Sequence, residues 1–262
     1  MRKAFCERVW TVCATELRAA IKAVRRDLPE ERIVKLVIGE DTFWMKQAEI
    51  ADATPSAAQS ETLAQALEGE RENLIAFRKD GFPVPDVVHH APGFLVISDC
   101  GLDLRDVMIT TDHGSSEVIR AFYQAGHALG RLHSAGLSLG RGRPKDFCWD
   151  GKGVHFIDLE QRPAKFAAST TGVLNLRNFT VATMKYALDH QADGFASSQA
   201  FLRGYASVRT DATRQSLAAA RSWARRRWWL VWASTLYGRL LAGANNHRKA
   251  YAPALLVLAE KR

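Results

Sequence analysis

The sequence predicts an α+β fold, in which a small antiparallel sheet with helices is followed by a mainly helical region. Within the first hundred residues, short apolar segments alternate with turn signals, which is typical of hairpins. After about residue 115, apolar residues recur at helical spacing over several long segments. The chain has 262 residues, 47% of them hydrophobic, which suffices for one two-lobed domain or two small ones.

The composition restricts the class of protein and its partners. The formal net charge of +8 favours polyanionic partners: a nucleotide, a nucleic acid or an anionic membrane surface. No apolar run approaches the ~20 residues of a membrane span, and no long apolar segment follows the basic start, so we expect no secretory signal. The four cysteines form no C-x-x-C motif. They argue against a zinc site and indicate reduced thiols in a cytoplasmic protein.

Hairpins and helices alternate in the first hundred residues. Gly39 supplies a turn between two strands, and Gly81 ends a helix that the following prolines keep from resuming. The predicted segments are an amphipathic helix at 4–26, strands at 32–38 and 42–48, a loop at 52–60, a helix at 61–79, and strands at 86–90 and 94–99.

The rest of the chain is mainly helical. A strong helix at 115–135 can be capped by Ser115 or Ser116, with Glu117 favourable in its first turn. It ends with His133, which we interpret as a structural histidine rather than a proton shuttle. Further helices are expected at 175–188, 197–208 and 211–242.

Between these helices, a strand–turn–strand segment separates two acids. A basic, glycine-rich turn leads to Asp146, strands at 147–149 and 154–157 follow, and Asp158 ends the second strand. Asp150-Gly151 favours a tight turn, because both residues tolerate the left-handed conformation. The two carboxylates would then lie near the ends of paired strands. Such a pair suits Mg²⁺, which proteins usually hold by one or two carboxylates together with phosphate.

This segment resembles the metal-binding part of the protein-kinase-like fold. Asp158-Leu159-Glu160 is similar to the D-F-G element, and Asp146 falls where the catalytic loop H-x-D-x-x-x-x-N carries its metal-binding Asn. The likeness is greatest to bacterial lipopolysaccharide-kinase-like proteins, the Kdo and heptose kinase group. It implies two lobes, 1–100 and 101–262, with ATP and Mg²⁺ as cofactors. Asp146, Asp158 and Glu160 would be the metal ligands.

Lys46 lies on an otherwise apolar strand, where burying an ammonium group without a partner is costly. The resemblance implies that it contacts the nucleotide phosphates and that Glu70 pairs with it. Glu72 is the competing choice. The alternative is a lysine on a solvated strand edge and glutamates on a solvated helix face. We expect Lys46, Asp146 and Asp158 to converge on one cleft.

The segment 100–104 resembles the hinge between kinase lobes, where backbone groups meet the adenine ring. This likeness implies that Asp99 and Gly101 take part in nucleotide binding. A linker that binds no nucleotide is the alternative.

Two features depart from the kinase pattern. Only Gly39 stands where kinases carry a glycine-rich loop, and Arg141 occupies the slot of the catalytic Asp, five residues before Asp146. In a phosphotransferase, Asp146, Arg141 and Asp158 would be the catalytic residues, and the acceptor would be a hydroxyl on a lipopolysaccharide sugar. The alternative is a pseudokinase that binds a nucleotide or a partner without transfer. A nucleic-acid-binding protein ranks last, because no recognition motif is evident.

A cluster of arginines and tryptophans lies near the carboxyl end. This combination favours phosphate-bearing surfaces, including an anionic membrane surface or a glycolipid, and predicts peripheral association with the inner membrane. It equally suits a packed helix whose arginines cover apolar surface. The residues are Arg225, Arg226, Arg227, Trp228 and Trp229.

Overall fold

The computed structural model describes residues 13–48, 57–111, 115–159, 164–227, 229 and 250–260. The chain divides into two compact units. The first comprises Met1–Ile75 and Pro85–Asp99, and the second comprises Ala76–Val84 and Cys100–Arg262.

The first unit is built on an antiparallel four-stranded sheet in the order β1-β2-β4-β3. Alternate residues of β2, such as Phe43 and Met45, are buried against Leu17 and Ile21 of α1, because successive side chains of a strand point to opposite faces. The elements are α1 (Ala14–Asp27), β1 (Ile33–Ile38), β2 (Asp41–Gln47), α2 (Ala57–Lys79), β3 (Val87–Ala91) and β4 (Phe94–Ser98).

Helix α2 begins earlier than the sequence predicted. Residues 57–60, expected to lie in a loop, form its first turn. Alanine has the highest helix propensity, since it loses no side-chain entropy, and Ala57 and Ala58 open the helix. The first part of the predicted helix at 4–26, and residues 52–56 of the predicted loop, lie outside the described residues.

The second unit is mainly helical and contains two small antiparallel sheets, β5-β7-β8 and β6-β9. With the first unit, it confirms the predicted α+β class. Its helices are α3 (Leu104–Thr110), α4 (Ser116–Ser134), α5 (Val173–His190), α6 (Gly194–Ala206), α7 (Asp211–Arg226) and α8 (Tyr251–Ala259). Its strands are β5 (Leu102–Asp103), β6 (Leu137–Ser138), β7 (Phe147–Trp149), β8 (Val154–Phe156) and β9 (Ala164–Lys165).

Side-chain caps fix several helix starts. Ser115 Oγ accepts a hydrogen bond from Val118 N at 3.3 Å, so Ser115 rather than Ser116 caps α4. Asp103 Oδ1 likewise accepts from Asp106 N at 2.9 Å and begins α3, a helix that the sequence analysis did not predict. Among the described residues, no helix is both long enough and apolar enough to cross a bilayer.

Helices α4 and α6 pack backbone to backbone. A Cβ atom on Gly126 would lie 1.9 Å from the carbonyl oxygen of Phe201, and one on Gly204 would lie 1.8 Å from that of Tyr123. Real Cβ atoms do not approach so closely. Glycine is therefore required at both positions by packing, and the two helices lie closer than side chains would permit.

We predict that Gly126→Ala and Gly204→Ala each lower the free energy of unfolding by at least about 2–3 kcal/mol, because an added methyl group forces the two backbones apart. Urea unfolding monitored by circular dichroism measures this loss. Gly153→Ala is the matched control, since a Cβ there meets nothing within 4 Å. Similar losses in all three variants would contradict the packing argument.

Candidate functional site

The first unit contains a buried ion pair between Lys46 and Glu70. Nζ of Lys46 lies 2.7 Å from Oε1 of Glu70, and the two residues are 7% and 0% exposed. Strand β2 is a central strand, and Lys46 lies on the face opposite to Phe43 and Met45. Lys46 is therefore not on a solvated edge. Glu70 forms the ion pair, whereas Glu72 is exposed.

A gain in stability does not by itself explain why this ion pair is buried. Desolvating two charges costs several kcal/mol, and replacing a buried ion pair by apolar residues is often neutral or stabilising. A buried ion pair of this kind is therefore a candidate functional site. The role of Lys46 and Glu70 in binding a nucleotide stays a prediction.

In the second unit, the two aspartates lie at the same end of a hairpin. Strands β7 and β8 pair with Phe147 opposite Phe156, so the residue before β7 and the residues after β8 meet at one edge. The amide of Ile157 donates to the carbonyl oxygen of Asp146 at 3.0 Å, and Asp158 follows directly. The expected neighbourhood of Asp146 and Asp158 is therefore present.

The Asp146 side chain is held in place by its own turn. Oδ2 accepts a hydrogen bond of 2.7 Å from the amide of Arg143, across the short helical turn Pro144–Asp146. Burial raises the pKa of Asp146, and the charge of Asp158 raises it further, whereas the Arg143 amide and the nearby cations lower it. A cation bound at this edge would favour the ionised carboxylate and so reverse the rise.

Asp158 has an unusual backbone conformation. Its φ of 57° lies in the left-handed region, which few residues other than glycine adopt, although Asp and Asn do so most readily. Strained conformations of this kind cluster at functional sites.

Asp146 and Asp158 fit a magnesium ion only if water molecules and phosphate oxygens complete its coordination sphere. Within the described ranges, no group of three or more His, Cys, Asp or Glu side chains could hold a metal by itself. Two carboxylates nevertheless suit Mg²⁺, because this ion usually keeps several waters and takes further oxygens from substrate phosphates. The third predicted ligand, Glu160, lies outside the described residues.

Asp99 and Gly101, predicted to bind nucleotide, both have structural contacts. Oδ1 of Asp99 accepts a hydrogen bond of 2.7 Å from Nε1 of Trp44. Gly101 has a φ of 86°, and a Cβ there would lie 2.0 Å from the carbonyl oxygen of Trp149. Their part in binding a nucleotide stays a prediction.

His133 ties three elements together, in agreement with its interpretation as structural. Nδ1 lies 2.6 Å from the hydroxyl of Tyr205 and Nε2 lies 3.0 Å from Oδ1 of Asn175. Asn175 Nδ2 in turn donates to the carbonyl oxygen of Leu139 at 2.7 Å, just before the arginine-rich turn. This chain of hydrogen bonds fixes the approach to Arg141, and sequence reasoning missed the part of Asn175.

Sequence reasoning also missed a basic cavity beside that turn. Arg141 is exposed, and together with Arg143 it lines a cavity of about 450 Å³ to which α5 contributes Arg177 and Lys185. The contributors from α5 lie more than thirty residues further along the chain, so neither spacing nor composition groups them with the turn.

The arginine–tryptophan cluster is described only in part. Arg225 and Arg226 are exposed on α7, Trp229 is 64% exposed, and the guanidinium of Arg227 lies 4.7 Å from the ring centroid of Trp223. Trp228 lies outside the described residues. Binding of a membrane surface or glycolipid by this cluster stays a prediction.

Comparison with known proteins gives distant likenesses. No protein-family profile matches the chain. An uncharacterized protein of Haemophilus influenzae is 26% identical over 133 residues, covering 51% of this chain and 54% of that protein. The chain thus spans about half the length of this curated relative.

Solved structures of WbdD also resemble the chain. A co-crystal structure of WbdD with the kinase inhibitor LY294002 has a TM-score of 0.43 and 16% identity, over 66% of this chain and 43% of that one. A structure of the bifunctional kinase-methyltransferase WbdD has a TM-score of 0.42 and 15% identity, over 71% and 46% of the two chains. At these values the likeness assigns neither a family nor a function.

We predict that protonation couples to folding through His133. Burial lowers its pKa from 6.5 to about 4, so the unfolded chain binds this proton more readily. Stability should therefore fall as the pH drops from 6.5 to 4, by up to about 3 kcal/mol from this group. Urea unfolding of the wild type and of His133→Gln at several pH values isolates this contribution. Identical pH slopes in both proteins would contradict it.

We predict that Lys46→Met lowers the free energy of unfolding by about 3–5 kcal/mol, because it leaves the Glu70 carboxylate buried without its cation. The double variant Lys46→Met/Glu70→Leu should recover much of this loss. Chemical denaturation of the two single variants and the double variant measures the coupling. Lys22→Met, at an exposed position on α1, is the control. Additive losses in the double variant would show that the pair is not energetically coupled.

Proposed function

We propose that the protein is an ATP-dependent phosphotransferase that transfers a phosphoryl group to a hydroxyl with the help of Mg²⁺. The buried Lys46–Glu70 ion pair is the observation that carries this proposal. Protein kinases require a strand lysine paired with a helix glutamate to position the phosphates. Here the lysine strand, the glutamate helix and the acidic hairpin follow one another in the same order as in that fold.

In this proposal, the two ends of the hairpin hold the metal. Asp146 and Asp158 supply carboxylate oxygens, and Glu160 is the third candidate ligand. Magnesium, when bound, supplies neutralisation of the phosphate charge. The hydrogen bond from the Arg143 amide orients the Asp146 carboxylate before any ligand arrives.

The remaining residues bind the nucleotide. Lys46 contacts the phosphates, and Glu70 holds its ammonium group in a fixed position. Asp99 and Gly101 mark the segment that meets the adenine ring. This scheme uses no glycine-rich loop beyond the turn at Gly39, because Lys46 and a magnesium ion held by the acids would supply the positive charge that the phosphates need.

Arg141 takes a different part from the aspartate that it replaces. Phosphoryl transfer needs positioning and charge neutralisation more than covalent chemistry from the protein. Arg141 donates hydrogen bonds to the transferring group and stabilises its charge. The acceptor hydroxyl loses its proton late, to Asp146, to Glu160 or to the phosphate itself.

The proposed acceptor is a hydroxyl on a lipopolysaccharide core sugar, reached from the cytoplasmic side of the inner membrane. The exposed arginines of α7, Arg225 and Arg226, give the protein a cationic surface for anionic lipid or glycolipid. Arg227, Trp228 and Trp229 extend the same segment of the sequence.

A pseudokinase is the second candidate. The observation that favours it is Arg141 in the slot of the catalytic aspartate. Such a protein would use the same lysine and acids to bind a nucleotide, and would act through a binding partner.

We predict that the purified protein, given γ-labelled ATP, Mg²⁺ and core glycolipid, releases ADP and labels the glycolipid. Asp158→Ala should reduce the transfer rate roughly 100-fold or more, since it removes charge stabilisation at the metal. Removal of Mg²⁺ with a chelator should stop transfer. Asp80→Ala, an exposed acid outside the hairpin, is the matched control.

The outcomes separate the two candidates. Labelling of the glycolipid by the wild type, but not by Asp158→Ala, supports the phosphotransferase. A nucleotide-induced rise in melting temperature without ADP release supports the pseudokinase. A protein that shows no turnover and no nucleotide-induced melting shift would rule out both candidates.

A further inference from the structure

The second unit contains a cationic cavity beside the turn that carries Asp146. Its volume is about 450 Å³, and its walls are formed by the turn, α5 and Tyr251 of α8. On α5, the residues at 177, 181 and 185 follow one another at intervals of four and therefore share a helix face. The polar lining residues from the turn and α5 are Arg141, Arg143, Arg177, Asn178, Lys185 and Tyr186.

The positive charge of this cavity is only partly compensated. Among the described residues, neither the guanidinium of Arg141 nor that of Arg143 forms an ion pair with a carboxylate. Asp146 accepts from the backbone amide of Arg143 rather than from its side chain. Lys185 pairs with Asp189 at 2.9 Å. Like charges gathered in one concave surface favour an anionic ligand.

The guanidinium of Arg177 and the backbone of the arginine turn are held in position before any ligand binds. Nη2 of Arg177 donates to Oδ1 of Asn178 at 2.9 Å, and Nδ2 of Asn178 donates to the carbonyl oxygen of Arg141 at 3.1 Å. Gly142 lies so close to Asn175 that a Cβ would be 3.2 Å from Nδ2 of that residue. The turn is therefore tied to α5. Less conformational entropy is then lost when the cavity binds a ligand.

The ligand class follows from the donor set. Guanidinium groups match the geometry of phosphate and bind it with paired hydrogen bonds. Tyr186 adds a hydroxyl, which is protonated at neutral pH and can donate a hydrogen bond; burial raises its pKa further. A cavity of this volume is within the usual range for small-molecule sites and has room for more than a free phosphate ion.

We propose that this cavity binds a phosphate group already present on the acceptor, so that the second substrate is a phosphorylated sugar. The inference rests on the proposed phosphotransfer. Arg141, which we assign to the transferring group, also lines the cavity, and the second shared residue is Arg143. Its side chain lines the cavity, while its amide orients the Asp146 carboxylate. An acceptor anchored there would lie beside the acids to which we assign the metal.

The test uses glucose 6-phosphate, inorganic phosphate and glucose as probes, with binding measured by titration calorimetry at low salt. Both phosphates should bind the wild type, the sugar phosphate more tightly, and glucose should not bind. Arg177→Gln/Lys185→Gln should weaken sugar phosphate binding about tenfold or more, because it removes two charged donors. Arg18→Gln, an exposed position on α1, should leave it unchanged. The melting shift induced by ATP and Mg²⁺ should persist in the double variant.

A second measurement needs only the wild type. Phenylglyoxal modifies accessible arginines, and mass spectrometry locates the products. Glucose 6-phosphate should slow modification of Arg141, Arg143 and Arg177 but not of Arg18. Absence of this protection, or equal binding by the double variant, would overturn the phosphate site.

Two further outcomes separate this site from the proposed phosphotransfer. Equal protection of Arg143 and Arg177 by ADP would assign the cavity to the nucleotide and would overturn its role as an acceptor site. Sugar phosphate binding in a protein that shows no response to ATP would count against phosphotransfer and support the phosphate site.

Discussion

The buried salt bridge between Lys46 and Glu70 is the interaction on which the arrangement of β2 and α2 in the first unit depends. Lys46 and Glu70 attract each other strongly only because the sheet and α2 exclude solvent around them. A central strand must carry the lysine, and α2 must run far enough to present the glutamate. The apolar residues on the other face of β2 pack against α1 and anchor the strand.

In the second unit, backbone hydrogen bonds of a hairpin, and not an ion pair, position the candidate site residues. The acids are close because a short hairpin brings its two ends together, and the Asp146 backbone bonds directly to the returning strand. His133 and Asn175 then tie the preceding turn to α4, α5 and α6. A buried network of neutral side chains thus holds the arginine-rich turn in place. The side chains that stabilise the turn differ from the arginines that are available to ligands.

Local signals made some features predictable and tertiary contacts decided the others. Lys46 was conspicuous as a charge within an apolar strand, and the Asp-Gly turn and the Ser115 cap are encoded by neighbouring residues. The choice between Glu70 and Glu72 depended on which side chain is buried, and helical spacing alone did not decide it. The basic cavity was not foreseen, because Arg177 and Lys185 meet the arginine turn only through the packing of α5.

The glycine contacts between α4 and α6 have a consequence for how the second unit can move. Interfaces made of side chains can slide by exchanging rotamers, but two backbones in direct contact have no rotamers to exchange. These helices must therefore travel as a single rigid block. His133 near the end of one and Tyr205 near the end of the other keep their spacing during any such displacement.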